Sequence, residues 1–217
     1  MKVEIKETKR VFDGFFKIDE ATLQHEKFNG EMSKEIRRLC FDRGNAVAAI
    51  VYNKDDDTLI FTRQFRYPVY TKEPKNAYFL EVVAGMIPKD KTPEDTLKSE
   101  VMEELGYKIN SMRVIDTFYL SPGGSNERIF LYYVEVINKD KTKKGGGLES
   151  ENEDIQTIAI PKDDILRLLN NFVFDDAKTI IGTQWFLKNK IGNFKHEHKT
   201  YNRRNQKYSH SIKKSGC

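Results

Sequence analysis

The chain has 217 residues, 38% hydrophobic and 12% aromatic, enough for one domain with a full core and a small addition. Its two cysteines, Cys40 and Cys217, give no disulfide framework, no apolar run approaches the ~18 residues of a membrane span, and the N-terminal MKVEIKETKR is too charged for a signal peptide. The expectation is a cytoplasmic protein without a membrane segment; with His25 the one histidine before residue 196, its body has no Ser-His-Asp triad, Cys-His pair or multi-histidine zinc site of its own.

Residues 1–44 read as short strands, with Asn29-Gly30 between 23–28 and 32–41 as a hairpin turn. Residues 47–52 and 58–65 form a second strand pair. Asp55, Asp56 and Asp57 between them read as a polar turn in preference to a metal cluster. A short strand over 79–83 leads into Gly85.

The segment 85–107, GMIPKDKTPEDTLKSEVMEELGY, predicts a helix. Thr92 is the N-cap, Pro93 holds the first helical position, and Glu94 and Asp95 fill the first turn. Gly106 stands where a left-handed C-terminal residue is wanted. At about 100° per residue, Leu97, Val101 and Leu105 form one apolar stripe. Glu100, Glu103 and Glu104 fall on the adjoining flank. Such a flank is either a solvated acidic face, the commoner case, or a set of oxygen ligands for a hard divalent cation.

Strands follow over 112–120 and 128–137, separated by the glycine loop SPGGSNER at 121–128. Adjacent glycines let backbone N–H groups approach an anion, although a plain turn explains them equally well. A Lys/Gly-rich loop then ends in GGGLESENED at 145–154, which reads as mobile and brings four more carboxylates, Glu149, Glu151, Glu153 and Asp154. A rigid carboxylate helix facing a movable carboxylate loop suits metal-activated attack of water on a phosphate. A strand at 155–160, a helix from Pro161 to about Leu169, and a helix over 176–187 containing Trp185 complete the body. Strands interleaved with three helices predict a compact α/β or α+β domain with a β-rich N-terminal addition.

Residues 188–217 carry nine Lys and Arg against Glu197, a net +8; the total of +4 leaves −4 for residues 1–187. The end of the chain reads as a basic flexible tail. A solvated end is preferred over an arm for RNA or anionic membranes.

Gly85, Glu100, Val101, Glu103, Glu104, Gly106 and Tyr107 match in register a pattern that resembles the Nudix box. Lys91 and Ser99 depart from it, standing where the box has Glu and Arg. The resemblance continues through GFF at 14–16, FNGEMSKEIRR at 28–38, FDRGNA at 41–46, RQFR at 63–66, VAGMI at 83–87, SPGGSNER at 121–128 and ESENEDI at 149–155. These segments look like the ADP-ribose pyrophosphatase and GDP-mannose hydrolase branch of that family. The fold so implied is α+β, an α/β/α sandwich on a mixed sheet with a small N-terminal antiparallel β subdomain. The expected divisions are 1–44 for that subdomain, which would also dimerise the chain, 45–192 for the hydrolase domain, and 193–217 for the tail.

The resemblance implies Mg²⁺-dependent hydrolysis of a nucleoside diphosphate sugar, with ADP-ribose first and GDP-mannose second, and Mn²⁺ as an alternative metal. Glu100, Glu104 and the Ala84 carbonyl would bind the metal, Glu153 would complete its shell, and Glu103 would add a ligand or support the others. Glu151 would be the general base. Arg66 and Arg38 would hold the diphosphate or terminal sugar. Glu127, Ser121 and Gly123 would contact the sugar, and Met86 the bound substrate. Phe15 or Phe16 would stack on the base across a homodimer interface, core packing being an equal reading for both. Lys178 would either reach the ligand as well or, the preferred reading, lie on a helix surface. Ser99 cannot replace the box arginine; Lys98 or Lys91 would have to supply that charge.

Overall fold

The computed structural model describes residues 1–191; the tail expected from 193 onward lies outside them. The first three strands, β1 (Val3–Asp13), β2 (Lys17–His25) and β3 (Ile36–Asp42), form a separate antiparallel sheet in the order β1-β2-β3. The Asn29-Gly30 turn is present, with Gly30 at φ +84° and its N–H donating to the Lys27 carbonyl at 2.9 Å. The expected second strand is shorter than its sequence run. After an isolated bridge between Glu26 and Met32, pairing resumes only at Ile36. Val3, Ile5, Val11, Phe12 and Leu39 are left exposed on this sheet.

The body is a seven-stranded mixed sheet, five of whose strands, β4 (Ala46–Asn53), β5 (Thr58–Phe65), β8 (Met112–Tyr119), β9 (Arg128–Val136) and β10 (Gln156–Pro161), run in the order β10-β5-β4-β9-β8, while β6 (Tyr78–Glu81) and β7 (Val83–Met86) pair off this path. Its central pair, β4 and β9, is parallel. Strand β4 reads AVAAIVYN because both its faces are covered. Ala46, Ala48 and Ile50 point to one core with Phe61, Phe174 and Phe186. Val47, Ala49 and Val51 point to the other with Leu97, Val101 and Leu105. The first core lies under α3 (Ile165–Asn170) and α4 (Ala177–Phe186), the second under α2 (Pro93–Glu100), giving the expected α/β/α layers. Gly182 permits the close approach of α4 to β4: a Cβ there would stand 2.5 Å from Ile50 Cγ1.

The feature that positions the site is a fork. Strands β4 and β5 pair only over Val51–Asn53 and Thr58–Ile60, then splay. The predicted strand at 79–83 is in fact two strands filling that gap. Strand β6 (Tyr78–Glu81) pairs with β5 and β7 (Val83–Met86) with β4. The break at Val82 is held by its N–H donating to Thr179 Oγ1 of α4 at 2.9 Å. A short helix, α1 (Tyr67–Tyr70), follows β5.

Two boundaries differ from the sequence expectation. Pro161 does not open a helix. It ends β10, where it pairs with Thr58 at the sheet edge, and α3 starts at Ile165 after a 3₁₀ turn over Lys162–Asp164. The last helix widens to π geometry over Leu187–Ile191. The three aspartates serve the β4–β5 turn as expected. Asp56 accepts from Asn53 Nδ2 at 3.0 Å, Asp55 from the Asn138 N–H at 2.8 Å, and Asp57 pairs with Lys162. No helix among the described residues is long and apolar enough to cross a membrane.

Candidate active site

Helix α2 begins as its sequence demands: Thr92 Oγ1 accepts from the Asp95 N–H at 3.1 Å, with Pro93 next. Its last turn, Val101–Leu105, widens to a π-helix that ends at Gly106 with φ 81°. Leu97, Val101 and Leu105 are fully buried. Their burial carries the adjacent Glu100 and Glu104 into the sheet with them.

Glu104 is only 2% exposed, and its Oε2 has no hydrogen-bond partner. Burial, then repulsion from Glu100, Glu153 and Glu81, hold its carboxyl well above the usual range, with Arg66 opposing. Burial also pushes Glu100 up to about 7, helped by Glu103, Glu153 and Glu151 and opposed by Lys91. A buried carboxylate without a cation is costly. The structure thus groups Glu100, Glu103, Glu104, Glu151 and Glu153 closely enough to repel one another. Among the described residues no three acidic, histidine or cysteine side chains already close on one point as an ion would require. The fit to a divalent cation rests on donor chemistry: an orphaned buried carboxylate oxygen and a carboxylate cluster short of positive charge.

The backbone of Ala84, Gly85 and Met86 lies in β7 beside this cluster, because Glu100 packs directly on Gly85. The loop after β9, read from sequence as mobile, is docked on the end of α2. Gly146 and Gly147 donate their N–H groups to the Glu104 and Glu103 carbonyls at 2.9 and 3.0 Å, satisfying acceptors that the helix end leaves open. Gly145, Gly146 and Gly147 have φ of 75°, 109° and 86°, a run that other residues rarely adopt. The same loop sets Glu153 Oε2 to accept from the Leu148 N–H at 3.0 Å. Glu151 ends a 3₁₀ turn over Glu149–Glu151 and is exposed.

A second group surrounds Glu127, which is buried and 3.4 Å from Arg43 Nε. The Arg43 guanidinium lies 5.4 Å from the Phe16 ring, which packs edge-on to Phe41. The glycine loop carrying Ser121 and Gly123 is exposed, and its Gly124 carbonyl accepts from the Phe41 N–H at 2.8 Å. The N-terminal sheet and the glycine loop are thereby stitched together. Phe15 is 84% exposed at the β1–β2 turn, and Arg38, on β3, is exposed and donates to the Arg37 carbonyl. No contact joins these two to the carboxylate cluster among the described residues.

The NUDIX domain pattern matches residues 42–181. The chain belongs to the Nudix family. It is 31% identical over 192 residues to a GDP-mannose pyrophosphatase of Pectobacterium atrosepticum, covering 86% of this chain and 97% of that one. It is 33% identical over 185 residues to the ADP-ribose pyrophosphatase of Escherichia coli strain K12, covering 84% and 87%. The crystal structure of an ADP compounds hydrolase shares the fold, with a TM-score of 0.66 at 19% identity over 87% of this chain and 95% of that one.

Beside this Nudix site, the charge of Lys91 opposes the upward shift of Glu100, while Lys98 pairs with Asp95 at 3.1 Å. Lys178 corrects its placement on an open helix surface: it is largely buried, 2.7 Å from Asp176 and 3.6 Å from Glu81. Sequence reading missed Glu81 and Arg43. A lone Glu inside the apolar run FLEVV was the available signal for Glu81. Arg43 had none beyond its place in RGNA.

Proposed function

We propose that this Nudix hydrolase cleaves the diphosphate of a nucleoside diphosphate sugar in a Mg²⁺-dependent reaction, with ADP-ribose giving AMP and ribose 5-phosphate. The observation that carries this reading is the buried Glu104, one of whose oxygens lacks any partner, beside the half-buried Glu100. Glu100, Glu104, Glu153 and the Ala84 carbonyl would hold the metal, with Glu103 beside them; Mn²⁺ meets the same oxygen donors. The ion would supply charge neutralisation at the diphosphate and acidify a bound water.

The chain's own groups supply the rest. Glu151 stands exposed on its turn and takes the proton of the attacking water. The water oxygen bonds to one phosphorus as the bridging P–O bond breaks toward the other phosphate. Arg66, with Arg38 reaching in from the N-terminal sheet, neutralises the diphosphate, suited by the planar fork of guanidinium. Glu127 and the backbone at Ser121 and Gly123 hold the sugar, Met86 lies against the substrate, and Phe15 or Phe16 stacks on the base. Because no contact joins Phe15 or Arg38 to the carboxylate cluster among the described residues, and the N-terminal sheet leaves apolar side chains exposed on both its faces, a homodimer through residues 1–44 is the assembly this reading favours. The cytoplasm is the expected compartment.

GDP-mannose is the second reading, supported by the GDP-mannose pyrophosphatase relative that the chain matches over 97% of its length. A panel of sugar nucleotides with Mg²⁺, run on wild type and Glu104→Gln, tests both. Release of two phosphate monoesters by wild type and a loss of at least about tenfold in the variant are expected. No turnover of any sugar nucleotide would sink the hydrolase reading in favour of a Nudix domain that only binds its ligand, a role the altered positions Lys91 and Ser99 would then explain.

A further inference from the structure

Glu81 is a charged residue in the interior, 3% exposed, at the end of β6. Its carboxylate accepts from Arg66 Nε at 2.6 Å and lies 3.6 Å from Lys178 Nζ. Lys178 Nζ in turn reaches Asp176 Oδ1 at 2.7 Å, and Asp176 Oδ2 caps α4 by accepting from the Thr179 N–H and Oγ1 at 2.9 and 2.7 Å. Thr179 Oγ1 accepts from the Val82 N–H. Thr62 Oγ1 fixes the Glu81 backbone carbonyl at 3.2 Å. The chain of contacts runs unbroken from the start of α4, through the break between β6 and β7, to Arg66.

Arg66 is held in this network by Nε alone. Its Nη groups make no other hydrogen bond among the described residues, and its charge acts on Glu104. A guanidinium gripped at Nε keeps its outer N–H fork free and loses little freedom when it meets an anion. Arg66 is part-exposed while Glu81 is buried, so breaking the pair would leave the buried carboxylate with Lys178 as its one remaining cation among the described residues, a cost that opposes release of Arg66.

We propose that Glu81 is a positioning residue for substrate binding: it grips Arg66 by Nε, aims the outer fork at the diphosphate, and through Lys178 and Asp176 ties that aim to the start of α4. This rests on reading Arg66 as a diphosphate ligand. Glu81 acts through Arg66 and touches no reacting atom.

The test compares kcat and KM of wild type, Glu81→Gln, Glu81→Asp, Arg66→Ala and the double variant Glu81→Gln/Arg66→Ala on the best sugar nucleotide, with melting curves for each. Glu81→Gln is expected to raise KM about tenfold with kcat changed less than about threefold, and Glu81→Asp to fall between it and wild type. In the Arg66→Ala background, Glu81→Gln should shift KM by less than about twofold, since the partner it positions is gone. An unchanged KM with a lowered melting temperature would overturn the proposal, as would effects that multiply in the double variant. If Glu81→Gln does not fold, Glu81→Asp carries the same criteria. An inert wild type sinks both this inference and the hydrolase reading; an active wild type with KM unmoved in the Glu81 variants sinks this one alone.

Discussion

Glu100 lays its carboxylate over the α-carbon of Gly85, so close that a Cβ placed there would stand 2.0 Å from both Oε1 and Cδ. The obstructing atoms are the far end of a flexible side chain, so added bulk displaces Glu100 before it disturbs the strand. Gly85→Ala should therefore leave the melting temperature of the metal-free protein within a few degrees of wild type. It should weaken Mg²⁺ activation, raising the Mg²⁺ concentration for half-maximal rate by about tenfold or more. A variant that melts much earlier with unchanged Mg²⁺ dependence would show that the strand yields and the carboxylate does not.

The metal-free protein should lose stability as pH rises. Glu100 has its ordinary value near 4.5 in the unfolded chain and is pushed up to about 7 when folded. Between those values the folded state binds more protons than the unfolded one. Its stabilising contribution is complete below about pH 4.5 and is lost as pH climbs through about 7. Glu104, shifted the same way by burial, adds to the slope. Melting curves in chelator from about pH 5 to about pH 8 should show a falling midpoint, flattened in Glu100→Gln and, for wild type, offset at the high-pH end by Mg²⁺ added in place of chelator. A midpoint that rises with pH across that window would rule out this account.

The acidic helix was legible in the sequence because its signals are local: Thr92, Pro93 and Gly106 mark its ends, and Leu97, Val101 and Leu105 fix which flank is carried inward. The continuous apolar run of β4 and the turn role of Asp55 to Asp57 are local in the same sense. What could not be read depends on contacts between distant residues. The fork that splits residues 78–86 into two strands is set by the splay of β4 from β5 and by Thr179, a residue 97 positions from Val82. The docking of Gly146 and Gly147 arises from open carbonyls of Glu104 and Glu103, at the end of a helix some forty residues earlier in the sequence. Lys178 looked exposed because a lysine's burial is decided by its partners, here Glu81 and Asp176.

Glu151 and Glu153 should separate by function. Glu153 is anchored, its Oε2 accepting from the Leu148 N–H, which holds the carboxylate toward Glu100 and Glu104. Glu151 carries no such anchor and is exposed. Glu151→Gln should lower kcat by about a hundredfold, within the usual range for a lost general base, with the Mg²⁺ requirement unchanged. Glu153→Gln should instead raise the Mg²⁺ needed for half-maximal rate. Unchanged turnover in Glu151→Gln would move the base to another carboxylate of the loop.

Arg43 joins the two sheets at the Glu127 pocket, and its loss should be felt at both ends. On one side it is the sole cation paired with the buried Glu127 among the described residues; on the other it lies over the Phe16 ring. Its Nε is buried without a hydrogen bond in this state, so the pairing with Glu127 is electrostatic at 3.4 Å. Arg43→Met keeps most of the side-chain bulk and removes the charge. Glu127 then stays buried and unpaired, a loss of about 1–3 kcal/mol, and Phe16 loses a contact worth about 0.5–1 kcal/mol. If Glu127 and Phe16 hold opposite ends of the substrate, KM should rise as well, and Arg43→Lys should restore stability better than it restores KM, because an ammonium replaces the charge without the planar stacking surface. Equal recovery of both by lysine would reduce Arg43 to a charge balance for Glu127 and leave Phe16 outside substrate binding.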